Sequence, residues 1–130
     1  MIYLLIALGG AAGSVSRHWL STVIDVRAES AFPWGTLTIN IMGSLLIGFL
    51  ANLDIGDRFI GTPQLRFFLM TGFCGGFTTF SAFSLQTLTL MKDGEWPMAA
   101  AYITGSVLIC LAGVWLGHAA AGMLQRPPVA

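Results

Sequence analysis

Charged residues in this chain gather in short clusters, and long apolar stretches separate them. Residues 1–24 hold one formal charge, Arg17; residues 30–53, 67–91 and 96–125 hold none. These four stretches take up 103 of the 130 positions. A membrane-crossing helix needs about 20 mostly apolar residues. The pattern therefore predicts four transmembrane helices, over 2–24, 34–53, 65–91 and 97–122, in one all-α integral membrane domain spanning 1–130. The joints agree: Asp25-Val26-Arg27-Ala28-Glu29 with Phe32-Pro33-Trp34-Gly35, Asp54-Ile55-Gly56-Asp57-Arg58 with Gly61-Thr62-Pro63, and Lys92-Asp93-Gly94-Glu95-Trp96-Pro97. Each combines charge with glycine or proline breakers. Tyr3, Trp19, Trp34 and Trp96 fall near predicted span ends, where amphipathic rings sit at headgroup level. The third helix is expected to break near its middle, because Gly75-Gly76 followed by Thr78-Thr79 is a poor helix interior. Irregular backbone at membrane depth survives only inside protein or beside water. Such breaks present carbonyls to cations and helix N-termini to anions.

Composition narrows the class. Hydrophobic residues make up 55% of the chain and charged residues 9%, with a mean hydropathy of +0.78. Soluble domains carry roughly 25% charge, so water is the wrong solvent for this chain, and disorder needs the opposite bias. Six basic and six acidic residues cancel to zero net charge, which leaves no footprint for nucleic acid. Cys74 and Cys110 lie singly in apolar runs without metal-ligand spacing and read as small buried apolar residues. Met1-Ile2-Tyr3 lacks the basic n-region of a cleaved signal, so the first stretch reads as a permanent span.

Charge also bears on orientation. Four spans put both termini on one side, flanked by Arg58, Arg66 and Arg126; Arg27 and Lys92, with Arg17 if it reaches the interface, flank the other. Orientation follows an asymmetry of such cations, and almost none exists here. Insertion both ways up, which would permit an antiparallel homodimer, and a single orientation under weak bias both stay open on this count.

Polar side chains at membrane depth are costly and mark functional positions. Arg17 is the one charge inside a predicted span, about 10 Å from its end at 1.5 Å per residue. It shares a face with Gly9 and Gly13 at i, i+4, i+8, so it is expected to face protein; it either snorkels to the interface or attracts an anion in a wet vestibule. Asn40 either glues helices or lines a pathway with its NH2 as donor. Restarting the third helix at Phe80 puts Phe80, Phe83, Ser84 and Thr87 at i, i+3, i+4, i+7. That stripe is either packing or a set of electropositive ring edges and hydroxyls able to replace water around a small anion. In the fourth span Tyr102, Ser106 and Cys110 repeat at i, i+4, i+8, as a polar track or as self-satisfied hydroxyls, and Gly113 and Gly117 form a GxxxG packing signal. His18 and His118 have no carboxylate within a span to orient them, no GxSxG accompanies the serines, and no strand precedes Gly9-Gly10-Ala11-Ala12-Gly13, so nothing suggests an enzyme.

Three motifs together carry a resemblance: Gly9-Gly10-x-x-Gly13-x-x-x-Arg17, Gly35-Thr36-Leu37-x-x-Asn40, and Gly72-Phe73-Cys74-Gly75-Gly76-Phe77-Thr78-Thr79-Phe80-Ser81-x-Phe83-Ser84. Nearly end to end, the chain resembles the Fluc/CrcB family of small bacterial fluoride channels. The resemblance implies a dual-topology antiparallel homodimer in the inner membrane, with two pores that export fluoride passively and protect the cytoplasm. It implies a structural sodium ion at the dimer centre, held by backbone carbonyls at the break, by position those of Gly75 and Thr78. It implies fluoride coordination by the rings of Phe80 and Phe83, a lining role for Asn40, a vestibule role for Arg17, and a track through Tyr102 and Ser106. Ser81, Ser84 and Thr87 are the further hydroxyls of that pathway. Three positions depart from the family pattern: Ala82 where threonine is frequent, His18 in place of an aromatic residue, and Cys110 in place of a serine.

Two other classes were weighed. A small multidrug-type exporter would need a carboxylate inside the membrane, yet Asp25, Glu29, Asp54, Asp57, Asp93 and Glu95 all fall in predicted loops. A non-transporting scaffold explains the glycines but not Arg17, Asn40 and the broken span together.

Overall fold

The computed structural model describes residues 1–53 and 62–125. Arg58, Arg126, Asp54 and Asp57 lie outside the described residues. Among the described residues the chain is helical and contains no strand. In order come α1 (Ile2–Ala28), α2 (Trp34–Asn52), α3 (Pro63–Arg66), a π-helix (Phe67–Cys74), α4 (Gly75–Phe77), α5 (Phe80–Lys92) and α6 (Trp96–Gln125). Three helical stretches are long and apolar enough to cross a membrane: Trp34–Asn52, Pro63–Lys92 and Trp96–Leu124. The fourth expected span, α1, has the length, 27 residues or roughly 40 Å. It is less apolar than the others because Arg17, His18 and its glycines and serines dilute it.

One boundary is corrected. Asp25 was placed in a loop, but α1 stays helical to Ala28 and stops where Glu29 turns left-handed at φ 46°. Being helical gives Asp25 a task. Pro33 precedes α2 and has no side chain able to cap it. The Asp25 carboxylate accepts the Gly35 N–H at 2.7 Å instead, and its charge sits at the positive end of α2. At the other tight joint, Gly94 adopts φ 79°, and Glu95 N–H donates to Leu90 O at 2.8 Å to close α5 before α6. A left-handed residue there favours glycine.

Close backbone approach at glycines sets the packing. Gly48 lies against the Val114 carbonyl and Gly117 against the Leu45 carbonyl, so α2 and α6 run antiparallel with almost no side chain between them. This is the contact the Gly113/Gly117 spacing predicted, although only Gly117 is tight. Gly9 lies against the Phe68 carbonyl and Gly13 against the Phe73 carbonyl, which sets α1 parallel to the π-helix. Four residues of α1 therefore match five of its neighbour, the wider turn that π-type bonding gives. A core of Leu37, Phe83, Leu90, Ala99 and Tyr102 joins α2, α5 and α6.

A methyl group at Gly117 would collide with backbone, whereas one at Gly105 meets nothing within 4 Å. Gly117→Ala is expected to destabilise the fold by about 2 kcal/mol, and Gly105→Ala to stabilise it by up to about 1 kcal/mol through helix propensity. Chemical unfolding in detergent, followed by tryptophan fluorescence, checks both signs.

Candidate functional site

The third helix breaks where the sequence suggested, but two residues beyond the glycine pair. Gly75 and Gly76 remain helical in α4; Thr78 (φ −88°, ψ 159°) and Thr79 (φ −151°, ψ 121°) are extended. Gly76 is glycine for a packing reason, since a side chain there would strike the Gly10 carbonyl. Thr78 and Thr79 break the helix because their hydroxyls offer other bonds. Thr79 Oγ1 accepts the Ala82 N–H at 3.1 Å and caps α5. Thr78 Oγ1 donates to Cys74 O at 2.9 Å, and its methyl fills the notch at Gly43.

Asn40 completes the break. Its Nδ2 donates to Thr79 O at 3.1 Å, and its Oδ1 accepts the Thr79 N–H at 2.8 Å. One amide thus satisfies both main-chain groups of an extended residue that no helix can serve. A continuous helix would send the Thr79 N–H to Gly75 O and the Ala82 N–H to Thr78 O. Both donors are diverted, so the two carbonyls expected to hold a cation lose their helical partners. Gly76 O is served from α1: Arg17 Nε donates to it at 3.2 Å and Ser14 Oγ at 3.4 Å. Arg17 therefore faces protein, as its glycine face implied.

Beside the break runs a groove of about 530 Å³, walled by apolar side chains of α2, the π-helix, α5 and α6. Asn40, Gly75, Thr78, Phe80, Phe83 and Ser106 all reach it. Phe80 is 78% exposed and Phe83 only 9%. Their ring centroids are 5.4 Å apart, inclined at 46°, and Phe83 meets Tyr102 at 5.0 Å. Tyr102 is buried, and its hydroxyl donates to Gln86 Oε1 at 2.9 Å. Ser106 Oγ, one turn further along α6, is buried and has no partner among the described residues. An unpaired buried hydroxyl costs about 1–3 kcal/mol, and this one is on the groove wall.

The other expected site residues lie elsewhere or have committed donors. Ser84 Oγ donates to Phe80 O and Thr87 Oγ1 to Phe83 O, each one turn back on α5. Ser81 Oγ pairs with Thr79 Oγ1 at 3.3 Å. None of these, nor Arg17 or Tyr102, lines the groove itself. Cys110 does, half-buried; His18 is exposed on α1.

Gln86, Ser14 and the bonding of the Thr79 main chain were not anticipated from the sequence. Gln86 carried a usable signal, as the only amide side chain in 67–91. Ser14 and the Thr79 main chain carried none, because their roles depend on which helix lies opposite. Among the described residues no group of three or more His, Cys, Asp or Glu could hold a metal. The oxygens beside the break belong to main-chain carbonyls, hydroxyls and the Asn40 amide, a donor type that suits hard cations.

Comparison with known proteins bears on the family of the chain. The family described as "CrcB-like protein, Camphor Resistance (CrcB)" matches residues 4–118. A protein of Paramagnetospirillum magneticum named "Fluoride-specific ion channel FluC" is 50% identical over 127 residues, covering 97% of this chain and 99% of its own length. Proteins of the same name from Opitutus terrae and Rhodospirillum rubrum are each 52% identical, over 92% and 97% of this chain and 92% and 98% of their own lengths. With a family match over most of its length and relatives at about half identity nearly end to end, the chain belongs to the CrcB family.

Proposed function

We propose that the chain is a fluoride channel of the bacterial inner membrane, working as an antiparallel homodimer and lowering cytoplasmic fluoride by passive export. The relatives' names supply the ion. The observation that carries the reading within this chain is the tilted pair Phe80 and Phe83 on a groove that also holds an unpartnered serine hydroxyl. Ring edges are electropositive. Together with hydroxyl and amide donors they can replace a small anion's water without holding it too tightly, the balance conduction needs.

The pathway follows from the donors. Arg17 engages one of its five N–H donors at Gly76 O and keeps a positive charge that draws fluoride into a vestibule. The second Nδ2 hydrogen of Asn40 is left for the ion after the first is given to Thr79 O. The N-terminus of α5 at Phe80 adds a positive dipole end. Ser106 Oγ offers its free hydroxyl, and Tyr102 and Gln86 form the adjoining polar pair. Ser81, Ser84 and Thr87 would have to rotate away from their present partners to contribute.

The dimer and the cation support one another. Four helices are too few to enclose a pore comfortably, and a 78% exposed Phe80 asks for a second copy to cover it. Sodium, when bound between the copies, would supply a positive charge, and the Gly75 and Thr78 carbonyl dipoles would take the place of its water. Those carbonyls fit the group, since both have lost their helical donors and Gly75 has open space around it. An exporter driven by a buried carboxylate fits less well. Asp25 is at the end of α1 and spoken for by Gly35, and Glu29, Asp93 and Glu95 are exposed outside the helices.

Phe80→Ala and Phe83→Ala are expected to lower fluoride efflux from proteoliposomes at least a hundredfold while the protein still elutes as a folded dimer. Efflux retained in both would sink the ring-edge reading. Asn40→Ala removes both bonds at Thr79, and two partly buried main-chain groups left unpaired should cost up to about 2–6 kcal/mol. It should therefore lose thermal stability as well as flux, whereas Ser106→Ala, which removes an unpartnered hydroxyl, should lose flux while thermal stability holds or rises. Melting curves and efflux on the same preparations separate the two.

A further inference from the structure

The helix break exposes carbonyls of one chemical kind, and something must decide which of them face a cation. Gly75, Gly76 and Thr78 each lose the N–H that a continuous helix would supply. Gly76 differs from its neighbours in being claimed from outside, by Arg17 Nε at 3.2 Å and Ser14 Oγ at 3.4 Å, both from α1. The approach that permits this is built into the backbone. Gly76 lies against the Gly10 carbonyl, Gly72 against Gly9 and Gly10, and Gly13 against Phe73 and Phe77. A side chain at any of these would push α1 away and take Arg17 out of reach. Asn40 holds the opposite side of the break through Thr79.

We propose that Arg17, aided by Ser14, is a positioning residue for the cation site: by holding the Gly76 carbonyl toward α1 it turns the peptides of α4 so that the Gly75 and Thr78 carbonyls face the groove. This rests on the sodium-linked dimer proposed above and adds a task for Arg17 beyond attracting the anion. The guanidinium caps the C-terminal end of a short helix, where cations are favoured, and orients a carbonyl rather than contacting the cation itself.

The two tasks differ in sign. A positive charge near a cation site weakens cation binding. If Arg17 acted on sodium through its charge alone, removing it would tighten sodium binding. If Arg17 positions carbonyls, removing it loosens sodium binding.

The test is thermal unfolding of the purified full-length protein in detergent, followed through its four tryptophans. Sodium chloride is titrated against N-methylglucamine chloride at constant ionic strength. The wild type is expected to melt at higher temperature as sodium rises. Arg17→Ala should move the sodium concentration at which the melting temperature begins to rise up about tenfold, the size of losing one hydrogen bond to a charged group. Arg17→Lys, which keeps the charge without the guanidinium fork, should move it up by less. Ser14→Ala, a mild change that preserves folding if Arg17→Ala does not, should move it about two- to threefold in the same direction, as for a neutral hydrogen bond. A melting temperature lowered equally at every sodium concentration, with the onset of the sodium response unchanged or lower, overturns the proposal. A wild type that shows no sodium response overturns the sodium reading itself, and is told apart by the wild-type curve alone.

Discussion

Two hydrogen bonds between the Asn40 amide and the Thr79 main chain hold this structure in its working form. An extended pair of residues between helices leaves polar backbone that hydrocarbon cannot satisfy. Asn40 supplies the donor and the acceptor together, at 3.1 and 2.8 Å. With those bonds in place, Thr78 and Thr79 can stay extended and α5 can begin afresh at Phe80. The new helix start puts Phe80 and Phe83 on the groove, and the diverted N–H groups release the Gly75 and Thr78 carbonyls. The placement of the aromatic pair and the release of the Gly75 carbonyl both follow from that one amide.

The glycines give that amide something to brace against. Backbone contacts of α1 with the π-helix and of α2 with α6 leave little room for the helices to shift. Such close contact is the usual means of association where lipid removes the hydrophobic drive between helices. The π-helix adjusts the register between α1 and α4, so that Gly76 meets Gly10 and Arg17 meets the Gly76 carbonyl. The Arg17 charge is thereby kept beside a polar partner.

Much of this was legible in the sequence. The charge-free stretches gave the helices to within a few residues, since apolar length is a direct requirement of a membrane. The Gly-Gly-Phe-Thr-Thr run announced the break, although the threonines rather than the glycines make it. Hydroxyls that can rebond locally compete with a helix, and glycines packed on a neighbour do not have to. Arg17 could be placed against protein because Gly9 and Gly13 share its face. What Arg17 bonds to, and that Asn40 serves Thr79, depend on which helices are neighbours, and spacing along one chain does not record that. The same holds for Tyr102 with Gln86. The aromatic stripe of α5 was correctly grouped, but the one-dimensional pattern gave no sign that Phe80 is exposed while Phe83 is buried.

Conduction of fluoride along the groove beside the broken helix is tested by ion flux. The most direct measurement is efflux from liposomes reconstituted with the purified protein and loaded with both fluoride and chloride, under a clamped membrane potential. Rapid fluoride efflux with chloride retained is expected; equal loss of both ions, or retention of both, would contradict a fluoride-selective channel.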